Sequence, residues 1–271
     1  MEYYQSIIVY LPKFLLPKHK TDLTRIGGDN DGGYPMSIKV LKKTNYLFSI
    51  GLGEDWTFEE AASNINSNLE IFMFDAQINQ KNWLKKIIKE TIYFFFLKSS
   101  IKKIISTIVL YFKYLYFFNR KKINHVKKNI VNSSEVLIYE ENEQKFEGIF
   151  NLRNKRNIIL KIDIEGNEYR ILDEIIKNQK VIEFLIIEFH EIDLMEIHIK
   201  KFIKKLKLDL VHIHINNFGG KNKFGYARVI ETMFTKRKYN KRRKSIDNKF
   251  PNELYDQPNN KIKKDEKIVF K

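Results

Sequence analysis

The stretch "KIDIEGNEYRIL", residues 161–172, decides the fold predicted for this chain. It ends a buried apolar strand with Asp163 and Glu165, turns on Gly166 and enters a helix. Carboxylates at the end of a strand cost desolvation free energy unless something pairs with them. In open α/β sheets this edge is where ligands bind. The stretch therefore predicts the lip of a ligand site.

Short apolar runs alternate with helical patterns along the rest of the chain, which is typical of a mostly parallel sheet. Near-continuous apolar character in the fourth and fifth runs indicates central strands that are buried on both faces. We expect a single domain over residues 1–271, long enough to bury a sizeable core. The runs predict seven strands, at residues 45–51, 69–75, 134–140, 157–163, 182–190, 208–216 and 228–234.

The composition excludes several classes of protein. The chain has no cysteine, so it has neither disulfides nor thiolate zinc sites. No uncharged apolar run reaches the ~18 residues of a membrane-spanning helix, and the start of the chain is a poor signal peptide. We therefore expect a cytoplasmic protein, with peripheral contact at the inner face of the membrane as an alternative.

Residues 78–130 are too long for an ordinary connection and predict a basic, aromatic-rich helical insert within the domain. They hold 13 Lys and Arg against one Glu, out of a net charge of +16 for the whole chain. A helical lid, core or dimer-forming pair is our first interpretation. Docking on a membrane surface is the second, and a nucleic-acid surface is the third.

The segment "SIGLGEDWTFEE", residues 49–60, puts Gly51 and Gly53 between the first strand and a helix. Glycines at such a turn let the backbone approach a ligand closely. The full dinucleotide fingerprint needs a third glycine, where this chain has Trp56. Acidic residues at the start of the helix also disfavour a pyrophosphate. The turn is therefore better suited to a cationic or zwitterionic ligand.

Asp75 ends the second strand, 24 residues after Gly51. An acid at about this distance typically binds the two ribose hydroxyls of an adenosine. A helix-capping role is the plain alternative. S-adenosylmethionine fits these features, because it is a nucleoside with a positive centre and needs no phosphate-binding loop.

At this point the chain resembles the FkbM-type S-adenosylmethionine-dependent methyltransferases, in order along almost its whole length. The matching pieces are "RIGGDNDGGYP" (25–35), "SIGLGEDWTFE" (49–59), "FMFDAQ" (72–77), "LKIDIEGNEYRIL" (160–172), "IIEFHEID" (186–193) and "HIHINNFGG" (212–220). The resemblance implies the α/β, Rossmann-like fold of class I methyltransferases, a seven-stranded, mostly parallel sheet whose last strand is antiparallel. The helical insert at residues 78–130 departs from the family pattern.

The resemblance also implies a cofactor site. Asp55 or Glu59 would hold the ammonium group of the cofactor, and the "DNDGGY" segment, residues 29–34, would fold over it. A tight turn that caps the sheet is the equal alternative for that segment. The residues expected to bind the cofactor are Asp31, Gly32, Gly51, Gly53, Asp55, Glu59 and Asp75.

Methyl transfer requires alignment of the partners and removal of a proton from the acceptor. We expect Asp163, Glu188, His190 and His214 to converge on one pocket. His190 is the preferred base because its unperturbed pKa lies near neutrality. A divalent metal ion held by carboxylates and imidazole is the less favoured alternative, and no metal site is predicted.

The acceptor implied by the resemblance is a sugar hydroxyl of a bacterial surface glycan, such as capsule, lipopolysaccharide or a glycolipid. The expected partner is therefore a glycan or glycolipid, and nucleic acid is not expected. Three alternatives stay open: methylation of RNA, methylation of a phosphate-derived or amine acceptor, and a relative of the family without catalysis.

Overall fold

A computed structural model describes residues 8–133, 140–151, 156–244 and 249–271 of the protein. The spatial order of its central sheet is β6-β7-β5-β4-β1-β2-β3, and β7 runs antiparallel to both of its neighbours. This order confirms the predicted class I methyltransferase sheet. The strands are β1 (Tyr46–Ile50), β2 (Glu70–Phe74), β3 (Ile123–Val126), β4 (Ile158–Ile162), β5 (Ile182–Phe189), β6 (Leu208–Ile215) and β7 (Ile230–Lys236).

Helices cover both faces of the sheet. The longer helices are α1 (Thr57–Ile65), α2 (Gln80–Phe95), α3 (Ile101–Phe118), α4 (Glu168–Asn178) and α5 (Ile192–Lys205). Short helical segments occur at Lys13–Leu15, Ile38–Leu41, Phe146–Asn151 and Arg237–Tyr239. Among the described residues, four small strand pairs join Ile8–Leu11 to Lys267–Phe270, His19–Lys20 to Lys241–Arg242, Thr24–Gly27 to Gly33–Met36 and Asn129–Val131 to Glu143–Lys145. Within the described ranges, none of the helices combines the length and the apolar character needed to cross a membrane.

The core consists of two apolar clusters, one on each face of the sheet. Alternate side chains of β4 enter different clusters: Ile159 joins one, whereas Leu160 and Ile162 join the other. The first cluster also contains side chains of α1, α2 and α3, and the second contains side chains of α4 and α5. Burial on both faces explains why the central strands are apolar almost throughout.

The edge of the sheet beside β2 differs from the prediction. The expected third strand at residues 134–140 falls, from 134 to 139, outside the described residues. The place next to β2 is taken by β3, which lies within the predicted insert. This strand is short and only half-buried, and Lys122 and Lys127 flank it, so its apolar signal is weak. The helical part of the insert therefore ends at Phe118.

Candidate active site

A cavity of ≈ 610 Å³ opens at the carboxyl ends of β1, β2 and β4. This volume is within the range of about 300–1,000 Å³ that is typical of small-molecule sites. Asp163, which follows β4, lines the same cavity. Six of the residues expected to bind the cofactor also line it, namely Asp31, Gly32, Gly51, Gly53, Asp55 and Asp75.

The glycine turn after β1 brings two strand ends into direct contact. Gly51 has a φ of 76°, and a Cβ atom there would lie 1.6 Å from the carbonyl oxygen of Asp163. Only glycine permits this approach of the turn to the end of β4. Gly53 also has a positive φ, 59°, but a Cβ atom there would meet nothing within 4 Å. The first glycine is therefore required for packing, and the second borders open space.

Asp75 ties the glycine turn to the start of the next helix. Its Oδ2 accepts hydrogen bonds from the backbone N–H groups of Leu52 and Gly53, at 3.1 and 3.2 Å. Its Oδ1 accepts from Gln77 and Ile78, at 2.7 and 3.3 Å. Asp75 thus holds the cavity wall in shape, and its contact with ribose hydroxyls stays a prediction.

Asp55 connects the glycine turn to α1. Its Oδ1 accepts from the backbone N–H of Thr57 at 2.8 Å and from the hydroxyl of Thr57 at 2.6 Å. The same hydroxyl accepts from the backbone N–H of Gly28, at 2.9 Å. A Cβ atom on Gly32 would lie 2.3 Å from the carboxylate of Asp55. The "DNDGGY" segment therefore packs closely on this end of the cavity.

Glu59 has a different place from the one predicted. It is fully buried and lies outside the cavity, because it belongs to the face of α1 that packs on the sheet. Its Oε1 accepts from the hydroxyl of Ser49 at 2.5 Å and lies 3.5 Å from the Nζ atom of Lys161. Burial would lower the pKa of Lys161, but Glu59 and the other nearby carboxylates raise it. Glu59 therefore supports a charged lysine in the cavity wall.

Three of the four predicted catalytic residues meet at the ends of β4 and β5. The Nε2 atom of His190 lies 3.3 Å from Oε2 of Glu165 and 3.5 Å from Oε1 of Glu188. At the end of β4, Ile162 pairs with Ile187 of β5. Asp163 and Glu188 are the next residues along the two strands, so their carboxylates occupy matching positions on adjacent strands. Glu165 and Glu191 both adopt positive φ, 52° and 49°, which costs free energy for residues other than glycine. Such strain is common at functional sites.

Glu168 holds His190 in place, a role that the sequence did not reveal. It is fully buried, and its Oε1 accepts from the backbone N–H of His190 at 2.7 Å and lies 3.1 Å from Nδ1 of the same ring. Its Oε2 accepts from the backbone N–H of Gly166 at 2.9 Å. A signal was present, because Glu168 shares a helical face with the buried Ile171, Leu172 and Ile175.

Burial and the neighbouring charges shift the pKa values of Asp163, Glu188 and His190. It raises the pKa of Asp163 to about 6, although Lys161 and His190 oppose the shift. Burial and the charge of Asp163 also raise the pKa of Glu188 well above its usual range. Burial alone would lower the pKa of His190, but Glu168 and the surrounding carboxylates raise it. The imidazole is therefore protonated more readily than a free histidine, and Asp163 titrates close to neutrality.

His214 does not join this group, which corrects the expected convergence. Strand β7 lies between β5 and β6, so Glu231 of β7 separates His214 from Glu188. Both ring nitrogens of His214 are occupied, by Glu231 at 3.2 Å and by Asp265 at 3.0 Å. Burial would lower the pKa of His214, but these two carboxylates raise it well above its usual value. His214 thus balances buried negative charge.

In the part of the chain that the structure describes, one group of side chains has the chemistry of a metal site. Asp163, Glu165 and His190 each place a ligand atom within 4.8 Å of the other two. Carboxylate oxygen and imidazole nitrogen suit several divalent ions. Glu165 is 86% exposed and Nδ1 of His190 contacts Glu168, so the carboxylate of Glu165 faces solvent whereas the imidazole is oriented by Glu168. A divalent ion stays the less favoured alternative.

No protein-family model matches the chain, and neither does any curated protein sequence. Among solved structures, the chain is similar to an rRNA methylase from Streptococcus thermophilus. The identity is 9% and the TM-score 0.41, over 73% of this chain and 90% of that chain. It is also similar to a precorrin-6y C5,15-methyltransferase from Geobacter metallireducens GS-15, with 13% identity and a TM-score of 0.37, over 73% and 86% of the two chains.

Likeness at this level bears on the fold alone. Because both TM-scores are low, the fold is assigned from the strand order of the sheet. The resemblance of the motifs to FkbM-type enzymes stays a prediction.

Proposed function

We propose that the protein is an S-adenosylmethionine-dependent methyltransferase that binds its cofactor in the cavity beside Asp75. The observation that carries this proposal is the charge of the cavity wall. Among the residues that the structure describes, seven carboxylate side chains line it against two basic ones, although the whole chain has a net charge of +16. A wall of this sign attracts a ligand with sulfonium and ammonium groups and repels a pyrophosphate. The glycine turn and Asp75 would hold the nucleoside.

The bound cofactor supplies an electrophilic methyl group, so the protein has to align the acceptor and take up its proton. We assign the proton to Asp163, because it lines the cavity and its pKa of about 6 leaves it ionised at neutral pH. The hydroxyl of Tyr34 lies 3.5 Å from Oδ2 of Asp163. His190, whose pKa is raised, then stabilises the negative charge instead of acting as the base.

The acceptor that we propose is a hydroxyl group of a sugar in a bacterial surface glycan. A hydroxyl needs a base to become a good nucleophile, and a buried carboxylate with a raised pKa supplies one. The choice of a sugar is supported by the resemblance of the sequence motifs to FkbM-type enzymes.

Calorimetric titration with S-adenosylmethionine and S-adenosylhomocysteine tests the cofactor. We expect both to bind, and the sulfonium to bind more tightly because of the acidic wall. If neither compound produced heat on titration, the proposal would be overturned. A labelled-methyl assay against extracted glycans, lipids and RNA, with and without a chelator, then identifies the acceptor. If the methyl group is transferred to RNA alone, the acceptor is RNA and not a glycan. If the chelator abolishes transfer, the reaction requires a divalent metal ion.

A further inference from the structure

Helices α2 and α3 form a helical hairpin, residues 80–118, that carries more exposed large apolar side chains than the rest of the described chain together. In the described part of the chain, 21 large apolar side chains are exposed, and 13 of them lie in this hairpin. Soluble monomeric proteins rarely expose contiguous apolar patches larger than a few hundred Å², and such a patch marks an interaction site in many proteins.

The exposed side chains form a regular stripe along each helix. The opposite sides of the helices pack on the body of the protein through Trp83, Tyr114 and Phe117. The stripes are therefore a second apolar face, additional to the one that the fold buries. Their members recur every three or four residues: Leu84, Ile88, Ile92 and Phe95 on α2, and Ile101, Ile105, Val109, Phe112 and Tyr116 on α3.

The two stripes meet at the turn between the helices, which we call the aromatic tip, residues 94–97. Phe95, Phe96 and Leu97 are 78%, 69% and 94% exposed. Three successive large apolar side chains with this exposure are costly in water, at about 25 cal/mol for each Å² of apolar area. Burial of the tip against another surface would recover that free energy.

The same hairpin is strongly basic. It contains eight lysines against one glutamate, a net charge of +7. The glutamate, Glu90, is buried and pairs with Lys103 at 3.1 Å. Lys98 and Lys102, which are both exposed, follow the aromatic tip, Lys98 between the helices and Lys102 at the start of α3. The partner surface must therefore be apolar at depth and anionic at its rim.

We propose that the helical hairpin docks on an anionic lipid bilayer, with the aromatic tip among the headgroups and the lysines on lipid phosphates. Amphipathic helices with basic flanks bind membranes in this way, through buried apolar area and attraction to anionic lipid. A second copy of the chain would instead bring two surfaces of +7 together, and like charges oppose such contact. Charge complementarity therefore favours the bilayer.

The base of the hairpin is joined to the cavity. Lys86 of α2 pairs with Glu54, which lines the cavity wall. A rise of 1.5 Å per residue puts Phe95 about 14 Å further along α2. Docking of the tip would therefore hold the cavity close to the bilayer surface. Membrane docking does not depend on the proposed methyl transfer and can be tested separately.

Co-sedimentation of the full chain with phosphatidylcholine vesicles, with and without phosphatidylglycerol, tests docking. We expect binding to the anionic vesicles that weakens as salt rises. The double variant Phe95→Ser with Phe96→Ser should lower the apparent affinity at least about tenfold. Lys98→Glu with Lys102→Glu should remove the preference for anionic lipid.

Two matched control variants separate the hairpin from general surface effects. Phe224→Ser with Leu254→Ser removes two largely exposed apolar side chains elsewhere, and Lys42→Glu with Lys43→Glu reverses two exposed charges elsewhere. Both should bind vesicles like the wild type. Docking is disproved if the wild type fails to sediment with anionic vesicles, or if the Phe95 and Phe96 variant sediments unchanged. A dimer in analytical ultracentrifugation that this variant abolishes, without vesicle binding, would instead show a contact between copies.

Discussion

The cavity and the helical hairpin are opposite in charge and in construction. The cavity wall is acidic and its side chains are fixed by hydrogen bonds, as in the four backbone contacts of Asp75. The hairpin is basic, and 13 of its large apolar side chains are exposed to solvent. The net charge of +16 therefore describes neither region. Local charge, not the total, indicates what each surface can bind.

The largest effect should follow from Gly51→Ala, because the added Cβ atom would collide with the backbone of Asp163. We expect a loss of roughly 2–4 kcal/mol in the free energy of unfolding and no detectable cofactor binding. Gly53→Ala is the matched control, since it has the same sign of φ but open space, and it should cost about 1–2 kcal/mol. Denaturant unfolding and calorimetry measure both. Equal losses in the two variants would contradict the close approach of β1 and β4.

Asp75→Ala should abolish cofactor binding while the protein stays folded. It leaves four backbone N–H groups without their acceptor and removes a carboxylate from the cavity wall. Asp173→Ala, which removes an exposed carboxylate of α4, is the control and should bind like the wild type. Calorimetric titration decides the matter. Normal affinity in Asp75→Ala would place the nucleoside elsewhere.

Asp163→Asn should lower the rate of methyl transfer about 10²–10⁴-fold and leave cofactor binding intact. In the wild type, kcat/KM should rise with pH as Asp163 loses its proton, through its pKa of about 6. The variant should lack this acid limb. Rates that rise through the same pH in the variant would assign the base to another group.

Stability should change with the opposite sign in the same pH range. The folded state binds the proton of Asp163 more tightly than the unfolded state does, because its pKa is raised. The contribution of Asp163 to the free energy of unfolding is therefore complete below the unfolded pKa of about 3.9, and it is lost as the pH rises through about 6. Comparison of urea unfolding of the wild type and Asp163→Asn isolates this term.

Glu168→Gln should act on His190 without touching the cavity. It keeps the shape of the side chain but removes the charge that raises the pKa of the imidazole, so that pKa should fall. Histidine resonances followed by NMR measure it, and His198, exposed on α5, serves as the internal reference. We expect slower transfer with unchanged cofactor affinity. An unmoved pKa would contradict the positioning role.

The smallest effect belongs to the hairpin. Phe95→Ser with Phe96→Ser should change the free energy of unfolding by less than about 0.5 kcal/mol, because both side chains are largely exposed to solvent. Cofactor affinity should stay the same. A larger loss of stability would show that the aromatic tip already packs against the rest of the protein. The cavity and the hairpin would then differ less in how their side chains are held.

Local patterns were sufficient to predict much of the fold. The apolar run at residues 157–163 predicted β4, which spans Ile158–Ile162, and the run at 182–190 predicted β5, which spans Ile182–Phe189. Strand β3 was missed because "INHV" is short and half-buried, and lacks the continuous apolar character of a central strand. Edge strands pack on fewer neighbours, so their sequences carry a weaker signal.

Some features of the candidate site could likewise be predicted from the sequence, and others could not. The glycine turn and Asp75 follow from spacing along the chain, and both line the cavity. Lys161 could have been noticed as the one charge within "NIILKI", because a buried charge needs a partner. The contact of His214 with Asp265 was beyond prediction, since the two residues are brought together by tertiary packing across 51 positions.

The strand pair between Ile8–Leu11 and Lys267–Phe270 has a consequence for biosynthesis. Asn259, shortly before it, donates to Glu231 at 2.7 Å and to Asp31 of the cavity wall at 3.5 Å. A ribosome must therefore release residues 259–270 before Ile8–Leu11 can pair with its partner strand and before Asn259 can contact Asp31 and Glu231. Contacts so distant along the chain form slowly, so we expect a nascent chain to bind the proposed cofactor only after translation has passed this point.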